Sequence, residues 1–466
     1  MDNTRSLISV DRTKIPLLRL AWPVIIENVV RTIMMSTDVF MLSYYSEEAV
    51  AAVGLIVQLM FFICLLYQMV ASGASTLISQ NLGARDTETA GLIARGSIVL
   101  VIAFSILLST AMCLLVDNVV SFFKLDPQVH KYAVQYMFIY SAGSLSVALC
   151  IVLSTIIRSY GHSRGPMLVN IAAMIINVIG NYIFIYGAFG MPVLGVVGVA
   201  LSTVFSQIVA CVVLYMMMKK HREIKFPRAA PSRSHSNIIG VPMPVYRQIL
   251  SIGVPTAGEN LCYNLGQIVI MRFIATLGTE AMAAFVYTVS VLRFVFIASI
   301  SIGVAVQIKV GYFVGAGMAD IAQRKVYRYW LSGFAISLGL VVAVNLFQAQ
   351  ILDIFTENLD IRQLAVGVFM VSLVLEPGRN FNVIIIPALK GAGDVRFPVY
   401  VGMVFMWGVG VAFAYIFGIT LGWGLTGICA ALALDEWSRG IVMFFRWRGG
   451  RWKTKKLVNY TPPDQM

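Results

Sequence analysis

From Val193 to Met218 the chain carries no charged residue, and the next charge is Lys219. A second such run, Ile98–Val116, ends at Asp117. About 20 apolar residues are what an α-helix needs to cross a hydrocarbon core roughly 30 Å thick. No water reaches that core, so every backbone N–H and C=O must pair inside the protein. Only helices and closed barrels achieve this. The short alternating segments of a transmembrane barrel are absent. The chain is 59% hydrophobic and 12% charged, about half the charge of a typical soluble domain. The sequence therefore reads as an all-α polytopic membrane protein.

Twelve spans follow from the apolar runs. They lie near 16–44, 51–80, 88–115, 129–157, 163–188, 193–218, 247–276, 281–312, 321–347, 361–389, 395–419 and 424–445. The expected layout is a cytoplasmic N-terminal segment (1–15), an N-lobe of spans 1–6 (16–218), a cytoplasmic linker (219–246), a C-lobe of spans 7–12 (247–445) and a cytoplasmic tail (446–466). The polar opening "MDNTRSLISVDRTKIP" has no apolar centre, so it does not read as a cleaved signal peptide.

Loop charges set the orientation. With the N-terminus inside, the cytoplasmic loops hold Arg12, Lys14, Arg85, Arg158, Arg164, Lys219, Lys220, Arg324, Lys325, Lys390 and Arg396, and the tail adds Arg446, Arg448 and Arg451. The opposite loops hold mainly acids, among them Glu47, Glu48, Asp117, Asp126, Glu280, Asp353 and Glu357. That asymmetry is the positive-inside pattern, with both termini cytoplasmic and a bacterial cell (inner) membrane as the setting. It also accounts for the net charge of +13 without a nucleic-acid partner. The basic linker "KKHREIKFPRAAPSRSHS" reads as a tether that obeys topology, with contact to anionic membrane lipid as the alternative. The six cysteines show neither pairing nor metal-ligand spacing and read as small buried hydrophobes.

The chain repeats itself at a shift of 232 residues. Pro23 and Glu27 in "PVIIEN" return as Pro255 and Glu259 in "PTAGEN". "EAVAA" (48–52) meets "EAMAA" (280–284), and "RSYGHSRGP" (158–166) meets "KGAGDVRFP" (390–398). Self-similarity at a fixed period signals internal duplication. Six spans per half is an even number, so the halves enter the membrane from the same side, as a parallel repeat. Two facing bundles of this kind suit alternating access.

Ionisable groups inside spans cost at least about 2.5–3.5 kcal/mol each on insertion scales, so they face protein or water and are functional candidates. They are Glu27, Arg31, Asp38, Glu259, Arg272, Arg293, Lys309, Glu376, Arg379, Asp435, Glu436 and Arg439, the last two placed near a cytoplasmic end. Glu27–Arg31 at i,i+4, and Glu376–Arg379 and Glu436–Arg439 at i,i+3, are spaced to pair on one helix face. For Glu27 and Arg31 a structural role and a proton-linked role both stay open. The return of Glu27 as Glu259 suits an acid that accepts hydrogen bonds from neighbouring helices. Asp38 has no basic residue within a turn, and the corresponding position 270 is Ile. An unpaired carboxylate at depth is protonated, holds a cation or faces a water-filled cavity. Asn177 and Asn181 share a helix face, and with Asp38 and Thr203 they form an oxygen-only set suited to coupling a hard cation, with Asp38 and Asn177 as the ligands if that ion is Na⁺.

No hydrolase, zincin or nucleotide-binding motif occurs, so no enzyme and no cofactor beyond a coupling ion is expected. Without a nucleotide site, a pump of this design draws on an ion gradient. A flippase for a lipid-linked precursor is the alternative, and it requires a cationic cavity built from Arg31, Arg272, Arg293 and Arg379.

These features resemble the multidrug and toxic compound extrusion (MATE) family. The carriers are Pro23 with Asp38 in "STDVFMLSYYSEEAVAAVGL", "SQNLGARD" (79–86), "NVIGNYIFIYGAFGMPVLGVVGVALST" (177–203) and "ALKGAGDVRFP" (388–398). The resemblance implies two six-helix lobes and export of organic cations or other amphipathic compounds in exchange for Na⁺ or H⁺. It implies that Asp38 is the N-lobe cation-site acid and Asn177 its first amide. The chain departs from the DinF-like branch at Asn181, where that branch carries a second acid. It departs from the NorM-like branch at Tyr263 and Arg379, where C-lobe acids are expected. Glu259 and Glu376 lie about a turn from those two positions, which makes all four candidates for a C-lobe or substrate-cleft site. A monomer handling small amphipathic or cationic substrates is the expected assembly.

Overall fold

The computed structural model describes residues 11–221, 223–224, 237–455 and 457–458; the side chains of 34–36, 38–39 and 237–238 lie outside that description. Most of the basic linker falls outside it too.

The helices are α1 (Leu17–Ser43), α2 (Glu47–Gly83), α3 (Thr87–Ser121), α4 (Pro127–Ala142), α5 (Ser144–Ser159), α6 (Arg164–Tyr186), α7 (Val196–Lys220), α8 (Met243–Thr276), α9 (Thr279–Gly315), α10 (Ala319–Leu346), α11 (Gln348–Phe355), α12 (Leu359–Ala392), α13 (Arg396–Phe405), α14 (Ala412–Tyr415) and α15 (Gly424–Arg448). β1 (Asn237–Ile238) and β2 (Val241–Pro242) form a small antiparallel hairpin before α8. Among the described residues, seven helical segments are long and apolar enough to span by composition alone, and α4 with α5, bent by 50°, makes an eighth. The remaining four, α1, α8, α12 and α15, are 27, 34, 34 and 25 residues long. They carry Glu27, Glu259, Glu376, Arg379, Asp435, Glu436 and Arg439, which lowers their hydropathy without shortening them. Twelve spans result, arranged as two lobes. Leu114 and Val404 are largely exposed, as on helices that are apolar all round and face lipid.

Local rules place the helix ends. Asp86 caps α3 through the Thr89 amide, and Asn358 caps α12 through the amides of Asp360 and Ile361. Gly161 and Gly393 follow α5 and α12 with φ of 95° and 97°. They occupy the same position of the 232-residue repeat. Left-handed backbone there ends the helix with little strain only at glycine. Each repeat thus stops its helix shortly after a basic residue, Arg158 or Lys390.

The chain forms two compact units, 26–78 with 86–254, and 1–25 with 79–85 and 255–466. Both changes of membership along α1 and α8 fall within three residues of the repeated prolines, Pro23 and Pro255. A proline removes one backbone hydrogen bond of its helix, so the direction of the helix can change there. Each unit has its own core. One gathers Ile56, Met137 and Val199, the other Leu292, Phe369 and Ile428.

Close helix approach is bought with glycine. In the larger-numbered unit a Cβ at Gly83 would collide with the Tyr312 backbone, and one at Gly315 with the Gln80 carbonyl. Residues 83 and 315, and 80 and 312, are repeat equivalents. The two contacts are therefore reciprocal, as a local two-fold relation requires.

Candidate functional site

Glu27, from α1, is 2% exposed. Arg158, in the last turn of α5, donates to both its oxygens, at 2.7 and 2.5 Å. Asn170 of α6 donates at 2.9 Å, and Arg31, one turn along α1, at 3.1 Å. An isolated carboxylate buried this deeply would be prohibitive. Here two guanidiniums and an amide surround it, and three helices are tied together.

The equivalent acid, Glu259 of α8, meets Lys390 of α12 at 2.7 Å. Both pairs span 131 residues of sequence. Arg158 and Lys390 were expected as loop cations; the structure turns both back onto an acid, fully buried at Glu27 and mostly so at Glu259. The spacing from Glu to base, equal in both halves of the repeat, was the signal. The other partners did not survive duplication. Arg31 corresponds to Tyr263, and Asn170 to Gly402, whose Cβ position lies 3.4 Å from Glu259 Oε1.

A second network fills the middle of the same unit. Arg379 Nη1 donates to Glu376 Oε1 at 2.5 Å, and its Nε lies 3.6 Å from Glu436 Oε1. Arg439 Nη2 reaches Glu436 Oε2 at 2.8 Å and Asp435 Oδ2 at 3.2 Å. Asn382 donates to the Glu436 carboxylate at 2.7 Å and to its carbonyl at 2.8 Å. The Arg379 guanidinium stands over Phe296 at 5.3 Å and that of Arg439 over Tyr263 at 5.9 Å. Glu376, Asp435, Glu436 and Arg439 are all buried.

The three local pairs expected from spacing all form. Glu436 and Arg439 sit mid-way along α15, which continues to Arg448. Asp435 joins them and completes a group that sequence reasoning left as separate pairs. Three carboxylates face two guanidiniums, so full ionisation leaves one excess negative charge. Asp435 Oδ1, Asn382 Oδ1 and both amide atoms of Asn380 are buried with no partner among the described residues. Gly410 brings its backbone against Asp435. It lies in a π-helical stretch, Met406–Val411, that interrupts the span Arg396–Thr420. Such stretches concentrate at functional positions.

In the other unit Asn177 of α6 donates to Thr203 Oγ1 of α7 at 3.1 Å. Asn181, one turn on, is fully buried. The structure thus brings two of the four expected cation-site residues into contact, while the Asp38 side chain lies outside the described residues.

Other candidates separate. Arg272 and Arg293 are exposed. Lys309 is buried, but its ammonium is held by backbone carbonyls of the N-terminal segment. Arg31 pairs with Glu27, which it shares with Arg158, and Arg379 pairs with Glu376, so neither stands free to line such a cavity. The cationic cavity that a lipid-precursor flippase needs is therefore not favoured. Among the described residues, no group of three or more His, Cys, Asp and Glu converges as metal ligands do. The six thiols are free.

The MatE family model matches residues 23–183 and again 255–416. The two matches begin 232 residues apart, at the two prolines of the repeat, and cover more than half the chain. The chain belongs to the MATE family. It is 35% identical over 453 residues to the "Uncharacterized transporter YisQ" of Bacillus subtilis, covering 95% of this chain and 96% of that one. It is 24% identical over 449 residues to the "Probable multidrug resistance protein NorM" of Thermotoga maritima, covering 95% and 94%. Two solved structures share the fold. A MATE protein in the bent conformation superposes with a TM-score of 0.87 at 21% identity, covering 96% of this chain and 97% of that one. An outward-facing multidrug resistance MATE transporter of the MOP superfamily gives 0.85 at 22%, covering 95% and 96%. Membership makes this chain a multi-pass membrane transporter.

Proposed function

We propose that this MATE protein is a secondary active antiporter. It exports organic cations or other amphipathic compounds by alternating access, in exchange for H⁺ or Na⁺. It sits in the bacterial cell (inner) membrane with both termini cytoplasmic, the orientation supported by the loop charges. Relatives named as probable multidrug resistance proteins support the substrate class.

The observation that carries the coupling is the excess carboxylate of the Glu376–Arg379–Asp435–Glu436–Arg439 network. In a low-dielectric interior an unbalanced carboxylate is expected to take a proton or a cation, and a change of environment changes which state is favoured. The carboxylates do not converge as metal ligands do, so a proton is the smaller demand on this network. Asp38 with Asn177, Asn181 and Thr203 offers the oxygen-rich alternative suited to Na⁺. Asp435 binds or releases the proton in the first scheme, and Asp38 holds the ion in the second.

Efflux of a fluorescent organic cation from everted vesicles tests this, with a pH gradient and a Na⁺ gradient imposed separately. The pH gradient drives wild type, and Asp435→Asn removes that drive, if the network couples protons. The Na⁺ gradient drives wild type, and Asp38→Asn is inactive, if the oxygen set couples Na⁺. Failure of both gradients to move any of a panel of cations overturns ion-coupled export.

A further inference from the structure

Lys309 poses a problem that transport does not address. It is 1% exposed, near the C-terminal end of α9. Its Nζ donates to the carbonyls of Thr13 at 2.6 Å, Ile15 at 2.5 Å and Arg12 at 3.4 Å. Three carbonyl dipoles satisfy its hydrogen bonds but leave its charge unneutralised. No carboxylate pairs with it among the described residues. A buried charge without a counter-charge is costly.

Lys309 forms one wall of a cavity of about 470 Å³, of the size that holds small ligands. Lys14 and Lys325 line the same cavity, and among the described residues no acid does. Lys14 is loosely held, its side chain 84% exposed and 3.7 Å from Asp11. The Asp11 carboxylate is itself engaged by the Thr13 hydroxyl at 2.5 Å, which holds it below the usual carboxylate range. Lys325 stands 5.4 Å over the Phe313 ring and has no ion pair among the described residues. The remaining wall is largely apolar, with Ile15, Phe313 and Ile321 along it.

We propose that this cavity binds the phosphodiester headgroup of an acidic phospholipid. The three ammonium groups outnumber the one nearby carboxylate, Asp11, and leave a net positive charge, and Lys14 and Lys325 have donors to spare. The apolar wall takes the glycerol and first acyl carbons, which a free phosphate would leave unused. The α9–α10 turn that carries the site lies at the end with the basic loops. On the orientation proposed above, that end faces the leaflet whose anionic lipids attract lysine. Lys309 corresponds to Leu77 and Lys325 to Ile93 in the first half of the repeat. The two lysines that α9 and α10 bring to the site therefore have no counterpart in the first half.

Native mass spectrometry of the full-length chain in neutral detergent tests the site. The probes are phosphatidylglycerol, phosphatidylcholine with the same acyl chains, and inorganic phosphate. Wild type is expected to retain one phosphatidylglycerol in preference to phosphatidylcholine. Lys325→Gln is expected to lower that preference roughly fivefold, and Lys14→Gln with Lys325→Gln by more than tenfold. Phosphate at millimolar concentration should leave lipid retention unchanged. A preference identical in wild type and the double variant overturns the proposal. So does phosphate occupying the chain with no lipid preference, which would assign the cavity to a free anion.

Discussion

Glu27 and Glu259 began as one residue in a duplicated sequence and now sit in different surroundings. Both still face a base 131 residues downstream. Around Glu27 there are two arginines and an amide, so the positive charge exceeds the negative. Around Glu259 there is one lysine, with a tyrosine and a glycine where Arg31 and Asn170 stood. The excess negative charge of that unit lies in the Glu376–Asp435–Glu436 network. The part kept in both copies ties the first helix of a half to a later one. What diverged is the charge balance, the property on which the proposed ion coupling rests. A balanced pair and a network with one carboxylate in excess can therefore share a unit while answering to different constraints.

That comparison makes ordered predictions, each read from thermal unfolding in a fixed detergent. Lys390→Met leaves Glu259 without a basic partner and should cost about 3 kcal/mol, the low end for breaking a buried pair. Arg158→Met should cost roughly half as much, because Arg31 and Asn170 continue to hold Glu27. If Arg158→Met proves the more damaging, the two sites are not ranked by the number of their partners and the comparison fails. Asn170→Leu removes one donor to a charged acceptor and should cost about 1.5 kcal/mol. Gly402→Asn offers Glu259 the amide it lacks and sharpens the comparison from the other side. A gain of about 0.5–1 kcal/mol is expected if the helices yield by a few tenths of an ångström; a loss would show that the glycine is needed for the close approach of its helix. Arg31→Gln should change stability by less than about 0.5 kcal/mol, since its side chain is half exposed and its pairing is screened. A large loss there would make Arg31 an essential partner of Glu27.

Much of the site was readable one helix at a time. Glu27–Arg31, Glu376–Arg379 and Glu436–Arg439 lie within a turn of each other, and helical geometry alone brings such residues together. Arg158 and Lys390 were misread because they border loops, where positive-inside counting assigns cations to solvent. That counting has no means of seeing which way a last-turn side chain points. Asp435 was recognised as ionisable but not as part of a network: its own partner, Arg439, is one turn away on α15, but the link to Glu376 runs through Arg379 and Glu436, on two helices 57 residues apart in sequence. Lys309 looked like a mid-membrane functional charge. Its helix places it instead against carbonyls of a segment almost 300 residues earlier.

The sequence by itself determined the all-helical architecture, the number of spans and the duplication. Lipid leaves a backbone no other way to satisfy its hydrogen bonds, and a 232-residue period is visible in the letters. Only the tertiary structure decided which charges neutralise each other, which network keeps one carboxylate in excess and where a buried lysine finds its acceptors. Electrostatic pairing depends on distance in space, and helices far apart in sequence set those distances through their packing.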